Sequence, residues 1–178
     1  MKKRTAQEKE KLLEPFKIAL RIELEGKKFL SEAAEKSEHP AAKRTFEFLA
    51  SEEDAHAAKI QRMYQAIAET GESIDPETDE EEAPQKIQEF NRRLAELKDT
   101  MKATDRDIEA YKAALEMEED TEEFYRDRLN ETDDANIKRI YRYLIAEERA
   151  HSIMLKSCLS FMESPSEWFK EQKGQELM

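Results

Sequence analysis

Apolar residues return at steps of three and four along four separate stretches, the spacing of one buried face on a long helix. The first stripe runs Phe16, Ala19, Glu23, Gly26, Leu30, Ala33, and the second Phe46, Leu49, Glu53, His56, Ile60, Met63, Ile67. The third runs Tyr111, Ala114, Glu118, Thr121, Tyr125, and the fourth Tyr141, Leu144, Glu148, His151, Leu155, Cys158, Met162. Four long helices are predicted, and each stripe is interrupted by a glutamate near its middle. A shorter amphipathic stretch, Ile87, Phe90, Leu94, Leu97 and Met101, predicts a further helix between the second and third.

Local signals place the ends. Thr5 with Glu8 forms a capping box for the first helix, which runs to about Lys36, and Pro40 opens a second that runs to about Thr70. Between Gly71 and Pro84 the periodicity stops and Asp75, Glu77, Asp79, Glu80, Glu81 and Glu82 form an acidic crossover, read as a solvated linker. Thr104-Asp105-Arg106-Asp107 resembles a cap that starts the third long helix, to about Asn130, although one helix continuous from Ile87 also fits. Thr132-Asp133-Asp134 caps the fourth, to about Glu163, and Ser164-Pro165-Ser166 starts a short last helix carrying Trp168 and Phe169. Short links make consecutive long helices antiparallel neighbours. The expected fold is an all-α antiparallel four-helix bundle, one domain over residues 1–178. Its parts are a helix hairpin at about 5–70, the crossover and extra helix at about 71–103, a second hairpin at about 104–163 and a tail helix at about 164–173. The apolar face of the extra helix must pack on its own bundle or build a dimer interface.

The two hairpins are copies of one unit. Residues 19–62 align with 114–157 without a gap and share eleven identities, among them Glu23/Glu118, Phe29/Phe124, Glu52/Glu147, Glu53/Glu148 and His56/His151. Within Glu52-Glu53-Asp54-Ala55-His56 and Glu147-Glu148-Arg149-Ala150-His151, residues three apart share a helix face, so Glu53 with His56, and Glu148 with His151, can reach one point. Glu52 and Glu147 fall off the stripes and are expected at solvent or against neighbouring helices. Four inward glutamates and two inward histidines remain. Burying them uncompensated costs several kcal/mol each, because a charge in an apolar interior loses its hydration. Polyvalent cations are the economical compensation. A glutamate from each of two helices plus Glu-x-x-His from each of the other two is the di-iron or di-manganese bundle arrangement.

Composition narrows the function classes. Charged residues make up 40 % of 178, with three glycines and five prolines, which suits long solvated helices and no hairpin-rich sheet. A net charge of -12 argues against nonspecific binding to nucleic acid or anionic membranes and is compatible with gathering cations. The single cysteine, Cys158, sits on a core stripe and is read as packing in a reducing compartment; no Cys-x-x-Cys pair is present. Neither a signal peptide nor a membrane span is expected from the first residues, so the protein is expected to be cytoplasmic. His39 has no repeat partner and reads as a loop or cap residue.

Together, Ala-Leu-Arg-Ile-Glu23 with Phe29, Leu-Ala-Ser-Glu-Glu53-Asp-Ala-His56, Ala-Leu-Glu-Met-Glu118 with Phe124-Tyr125, Ala-Glu-Glu148-Arg-Ala-His151 and Trp168-Phe169 resemble the rubrerythrin-like branch of the ferritin-like superfamily. The likeness covers about 19–62 and 104–169. It implies a ferritin-like bundle with two iron ions, bridged by Glu53 and Glu148 and held terminally by Glu23, His56, Glu118 and His151. Manganese or a mixed pair suits the same ligand types. It further implies reduction of hydrogen peroxide to water, a role in oxidative stress, and a homodimer. Two features depart from the family pattern. No cysteines for a rubredoxin domain are present, so electrons are expected from an external donor such as a rubredoxin-like protein, or else the chain works differently. The extra residue that places a seventh carboxylate in the third helix is also missing, leaving Glu119 and Glu122 as substitutes. Tyr125, one heptad past Glu118, can donate a hydrogen bond to a ligand carboxylate and is placed with Glu53 and Glu148 in the catalytic set. The alternative function is a ferroxidase or iron-storage protein that reacts with dioxygen and takes up more than two irons per chain.

Overall fold

A computed structural model describes residues 6–70, 82–97 and 103–175. Among them are six helices and no strand: α1 (Ala6–Lys36), α2 (Pro40–Thr70), α3 (Glu82–Glu96), α4 (Asp105–Glu131), α5 (Ala135–Glu163) and α6 (Pro165–Gln175). The Thr5 cap, the acidic crossover from 71 to 81, and any extension of the extra helix to Met101 lie outside the described residues. The extra helix begins at Glu82, before the expected end of the crossover at Pro84, because a proline in a first turn has no intrahelical donor to lose. It ends at Glu96, and α4 starts separately at Asp105. The tail helix runs two residues past its expected end, to Gln175.

Short links make the two hairpins. Residues 37–39 join α1 to α2, and 132–134 join α4 to α5. The hairpins then pack through α2 on α5 and α1 on α4, which closes a four-helix bundle, while α3 and α6 both lie against α5. His39 caps α2, its Nδ1 accepting from Ala41 N–H at 3.2 Å. Asp134 caps α5, accepting from Asn136 and Ile137 N–H. At the start of α4, Thr104 Oγ1 accepts from Asp107 N–H at 3.1 Å, and Asp107 Oδ2 accepts from Thr104 N–H at 3.1 Å. The other oxygen of Asp107 accepts from Glu38 N–H at 3.2 Å in the α1–α2 turn. One buried carboxylate thus satisfies helix-end donors on both hairpins. Asp107→Ala is expected to lower stability by about 0.5–2 kcal/mol, the range for losing such a cap. An unchanged urea midpoint would show the link to be incidental.

The apolar interior has two parts. One, at the end holding the α1–α2 turn, contains Leu30, Phe46, Leu49, Tyr111, Cys158 and Phe161 and extends to Phe90 and Leu94 of α3 and Trp168 of α6. The other, at the opposite end, contains Phe16, Ile60, Ile67, Tyr125, Ile140 and Leu144. Trp168 donates from Nε1 to Ser157 Oγ at 2.9 Å and packs edge-on against Phe161, so the tail helix anchors on its own bundle. Its neighbour Phe169 stays exposed. Cys158 accepts from the hydroxyls of Tyr111 at 3.0 Å and Thr45 at 3.3 Å. Along each long helix the polar interruption falls between the segments that feed the two apolar regions. A polar layer is thereby held between two packed cores.

Candidate metal centre

That layer holds Glu23 of α1, Glu53 and His56 of α2, Glu118 of α4, and Glu148 and His151 of α5, each no more than 2 % exposed. The helical spacing explains the convergence: Glu53 and His56, like Glu148 and His151, stand one turn apart on a buried face. His56 Nδ1 donates to Glu23 Oε2 at 3.0 Å and lies 3.8 Å from Glu53 Oε2. His151 Nδ1 is 3.1 Å from Glu53 Oε1, and 3.6 Å from both Glu118 Oε2 and Glu148 Oε2, none of them aligned as a hydrogen bond. The two imidazoles stack 5.2 Å apart and 14° from parallel. One chain therefore gathers all six residues without help from a partner.

Besides a group of Glu52, His56, Glu147 and His151, the six donors form two overlapping sets, Glu23, Glu53, His56 and Glu148, and Glu53, Glu118, Glu148 and His151. Glu53 and Glu148 are common to both. Glu53 Oε1, Glu118 Oε1, both oxygens of Glu148 and both ring nitrogens of His151 are buried without a hydrogen-bond partner. Carboxylate oxygens in that state have given up hydration and received nothing in return, the condition that a bound cation relieves. The residues fit a pair of ions with mixed oxygen and nitrogen ligands, as divalent first-row metals accept.

Without cations the cluster holds protons. Burial raises the Glu23 carboxyl to about 7, helped by the nearby Glu53 charge and opposed by His56. Burial and the charges of Glu53, Glu23 and Glu118 push Glu148 well above the usual carboxylate range. For Glu53, burial acts upward as well, but contacts with His151 and His56 outweigh it and hold the carboxyl well below its ordinary value. Burial works against protonated imidazole, yet the surrounding carboxylates raise His56 and His151 well above theirs. Those protons are what entering cations must displace.

Tyr125 donates from its hydroxyl to Glu23 Oε1 at 2.5 Å, across from α4 to α1. Two contacts were not legible in the stripes. Of its two expected places, solvent or neighbouring helices, Glu147 takes the second and is buried: its Oε2 accepts from His56 Nε2 at 3.2 Å and from Lys86 Nζ at 2.9 Å. Lys86, on α3, also pairs with Glu52 Oε2 at 2.8 Å. Burial alone would raise Glu147, but His56 and Lys86 bring it down to about 2. The sequence signal was the repetition of Glu52 at Glu147, an identity that the inward stripe left without a role. Glu119 and Glu122 do not substitute for a seventh carboxylate near the centre. Glu119 is exposed and pairs with Lys156, while Glu122 pairs with Arg126 and Arg149 at the surface. Their positions on α4 turn them from the inward face.

Comparison with known proteins agrees with this arrangement. The rubrerythrin family model matches residues 14–159, an interval that contains all six donors. A solved structure of a hypothetical protein from Pyrococcus furiosus superposes with a TM-score of 0.57 at 23 % identity, over 85 % of this chain and 89 % of that one, a likeness of fold. No curated protein matches the chain. No described helix is long and apolar enough to cross a membrane. With a family match over most of its length and a bundle of the expected kind, the chain belongs to the rubrerythrin family.

Proposed function

We propose that this protein is a di-iron oxidoreductase that reduces hydrogen peroxide to water with electrons from a separate donor protein. The observation that carries the reading is the pair of overlapping donor sets, with Glu53 and Glu148 common to both and unpartnered carboxylate oxygens facing one buried space. Glu23 and His56 would close one set, Glu118 and His151 the other. A bound ferrous pair would supply the two electrons that, with two protons, convert hydrogen peroxide to two molecules of water. The chain's own contribution is geometry. The two apolar regions on either side of the layer exclude bulk water and fix the helices that carry the ligands. Tyr125 acts through Glu23: its hydroxyl holds one carboxylate oxygen and so orients the other. With one cysteine, these 178 residues hold no four-thiolate iron site, and the reading places the electron donor outside them.

Anaerobic stopped-flow oxidation of the iron-loaded, reduced protein tests the reading, with metal per chain counted in parallel. Two irons per chain and reoxidation much faster by peroxide than by dioxygen are expected. Preference for dioxygen with continued iron uptake would move the assignment to a ferroxidase or storage protein, which the net charge of -12 would serve by attracting ferrous ions.

A further inference from the structure

The internal repeat alone would make the two halves of the centre equivalent. Two side chains outside the donor sets break that equivalence, and both favour the same half. Tyr125 binds Glu23 Oε1, whereas the repeat counterpart of Tyr125 is Leu30, and Glu118 Oε1 has no hydrogen-bond partner. Glu147 binds His56 Nε2, whereas no such bond joins its counterpart Glu52 to His151, whose Nε2 has no partner. Lys86 secures the carboxylate of the second break. It comes from α3, which has no counterpart in the first hairpin, and its ammonium bridges Glu52 and Glu147 at 2.8 and 2.9 Å.

A hydrogen bond from Nε2 to a carboxylate fixes the imidazole tautomer and leaves Nδ1 free to bind a cation, and it makes that nitrogen a stronger donor. Here the carboxylate is itself anchored, since Glu147 is clamped by Lys86. The ammonium does not cancel the benefit, because it is shared with Glu52 and the trio keeps one net negative charge behind the ring. His151 must settle its tautomer and orientation without such a partner.

We propose that Lys86 is a positioning residue that, by clamping Glu147 behind His56, makes the Glu23–His56 half the tighter of two unequal divalent-cation sites, filled before the Glu118–His151 half. The inference rests on the two-metal reading and adds an order of filling to it.

Anaerobic titration of the full metal-free chain with Co2+, followed by visible absorbance and calorimetry, tests it. Two resolved steps are expected in the wild type. His151→Gln should keep the tight step and lose the weak one, and His56→Gln the reverse. Lys86→Met should weaken the tight step by about 10–100-fold, the usual effect of losing a partner behind a ligand histidine, while Lys86→Arg restores it. A merely structural role for Lys86 would lower the melting temperature of the metal-free protein without altering the ratio of the two dissociation constants. Two equal steps in the wild type, an unchanged ratio in Lys86→Met, or loss of the tight step in His151→Gln would overturn the proposal. A wild type that binds one ion, lost in His56→Gln, would instead sink the two-metal reading and leave the Lys86 clamp standing; one that binds none would sink both.

Discussion

Replacing Glu148 by leucine is expected to abolish peroxide-driven reoxidation and leave no more than one ion per chain, while making the metal-free protein more stable. The opposite signs come from the surroundings of this carboxylate. Glu148 belongs to both donor sets, so its loss removes a ligand from each ion. In the metal-free protein, however, neither of its oxygens has a hydrogen-bond partner, and burial among three other carboxylates disfavours its charge. Exchanging such a group for an apolar side chain of similar volume is commonly neutral or stabilising by about 1–4 kcal/mol. Glu53→Leu provides the contrast. Glu53 lies 3.1 Å from His151 Nδ1, and its removal takes the nearest carboxylate from that buried imidazolium, while His56 keeps Glu23 and Glu147. That loss is expected to destabilise the metal-free protein by about 3–5 kcal/mol. Urea denaturation of chelated samples, with metal analysis of loaded ones, reads both effects. A metal-free Glu148→Leu less stable than the wild type would mean that the cluster is a self-sufficient polar network. Two retained ions would mean that Glu148 is not a ligand.

The six donors were legible because each lies on a helix whose apolar neighbours set its register. Phe46, Leu49, Ile60, Met63 and Ile67 are all buried, so Glu53 and His56 at the intervening positions had to be buried with them. Capping chemistry was legible for the same local reason: Thr104 with Asp107, and Asp134, need only their own next turn to bond. What escaped depends on which helix lies alongside. Glu147 is one position off the inward stripe of α5, and its burial follows from the approach of α2 and α3. Nothing in the period of α3 says that its apolar face, through Phe90 and Leu94, would pack with Trp168 against α5, or that Lys86 would then reach two glutamates. Tyr125 was placed inward by its stripe, but its choice of Glu23 rather than a carboxylate on its own helix is set by the packing of α1 on α4. Periodicity determines which face is buried, and tertiary packing determines which atoms meet there.

Loading the centre with redox-inert Zn2+ is expected to raise the melting temperature, and by more near pH 8 than near pH 6. Glu23, Glu148, His56 and His151 all have folded-state values above their ordinary ones, so each contributes stability that is fully present below its unfolded value and lost as pH rises through its folded value. For Glu23 that window runs from 4.5 to about 7, a shift equivalent to about 3 kcal/mol at this nearly fully buried group. Glu53 and Glu147 are depressed and act the other way: their contribution is present above 4.5 and is lost only as pH falls towards about 2 and below. The metal-free protein is therefore expected to be most stable in mildly acidic solution and to weaken towards pH 8. Cations need the deprotonated ligands, so their affinity rises over the same interval. With free ion at 1,000 times the dissociation constant, each site adds about 4 kcal/mol, or about 8 for two. In a chain of this length that corresponds to a shift on the order of 15–30 °C. Paired thermal melts of loaded and chelated protein across this pH range measure the difference. A gap that is absent, or that narrows as pH rises, would show that protons and not cations are the natural counterions of the four carboxylates. A gap that widens would identify the raised groups as the positions at which metal replaces proton.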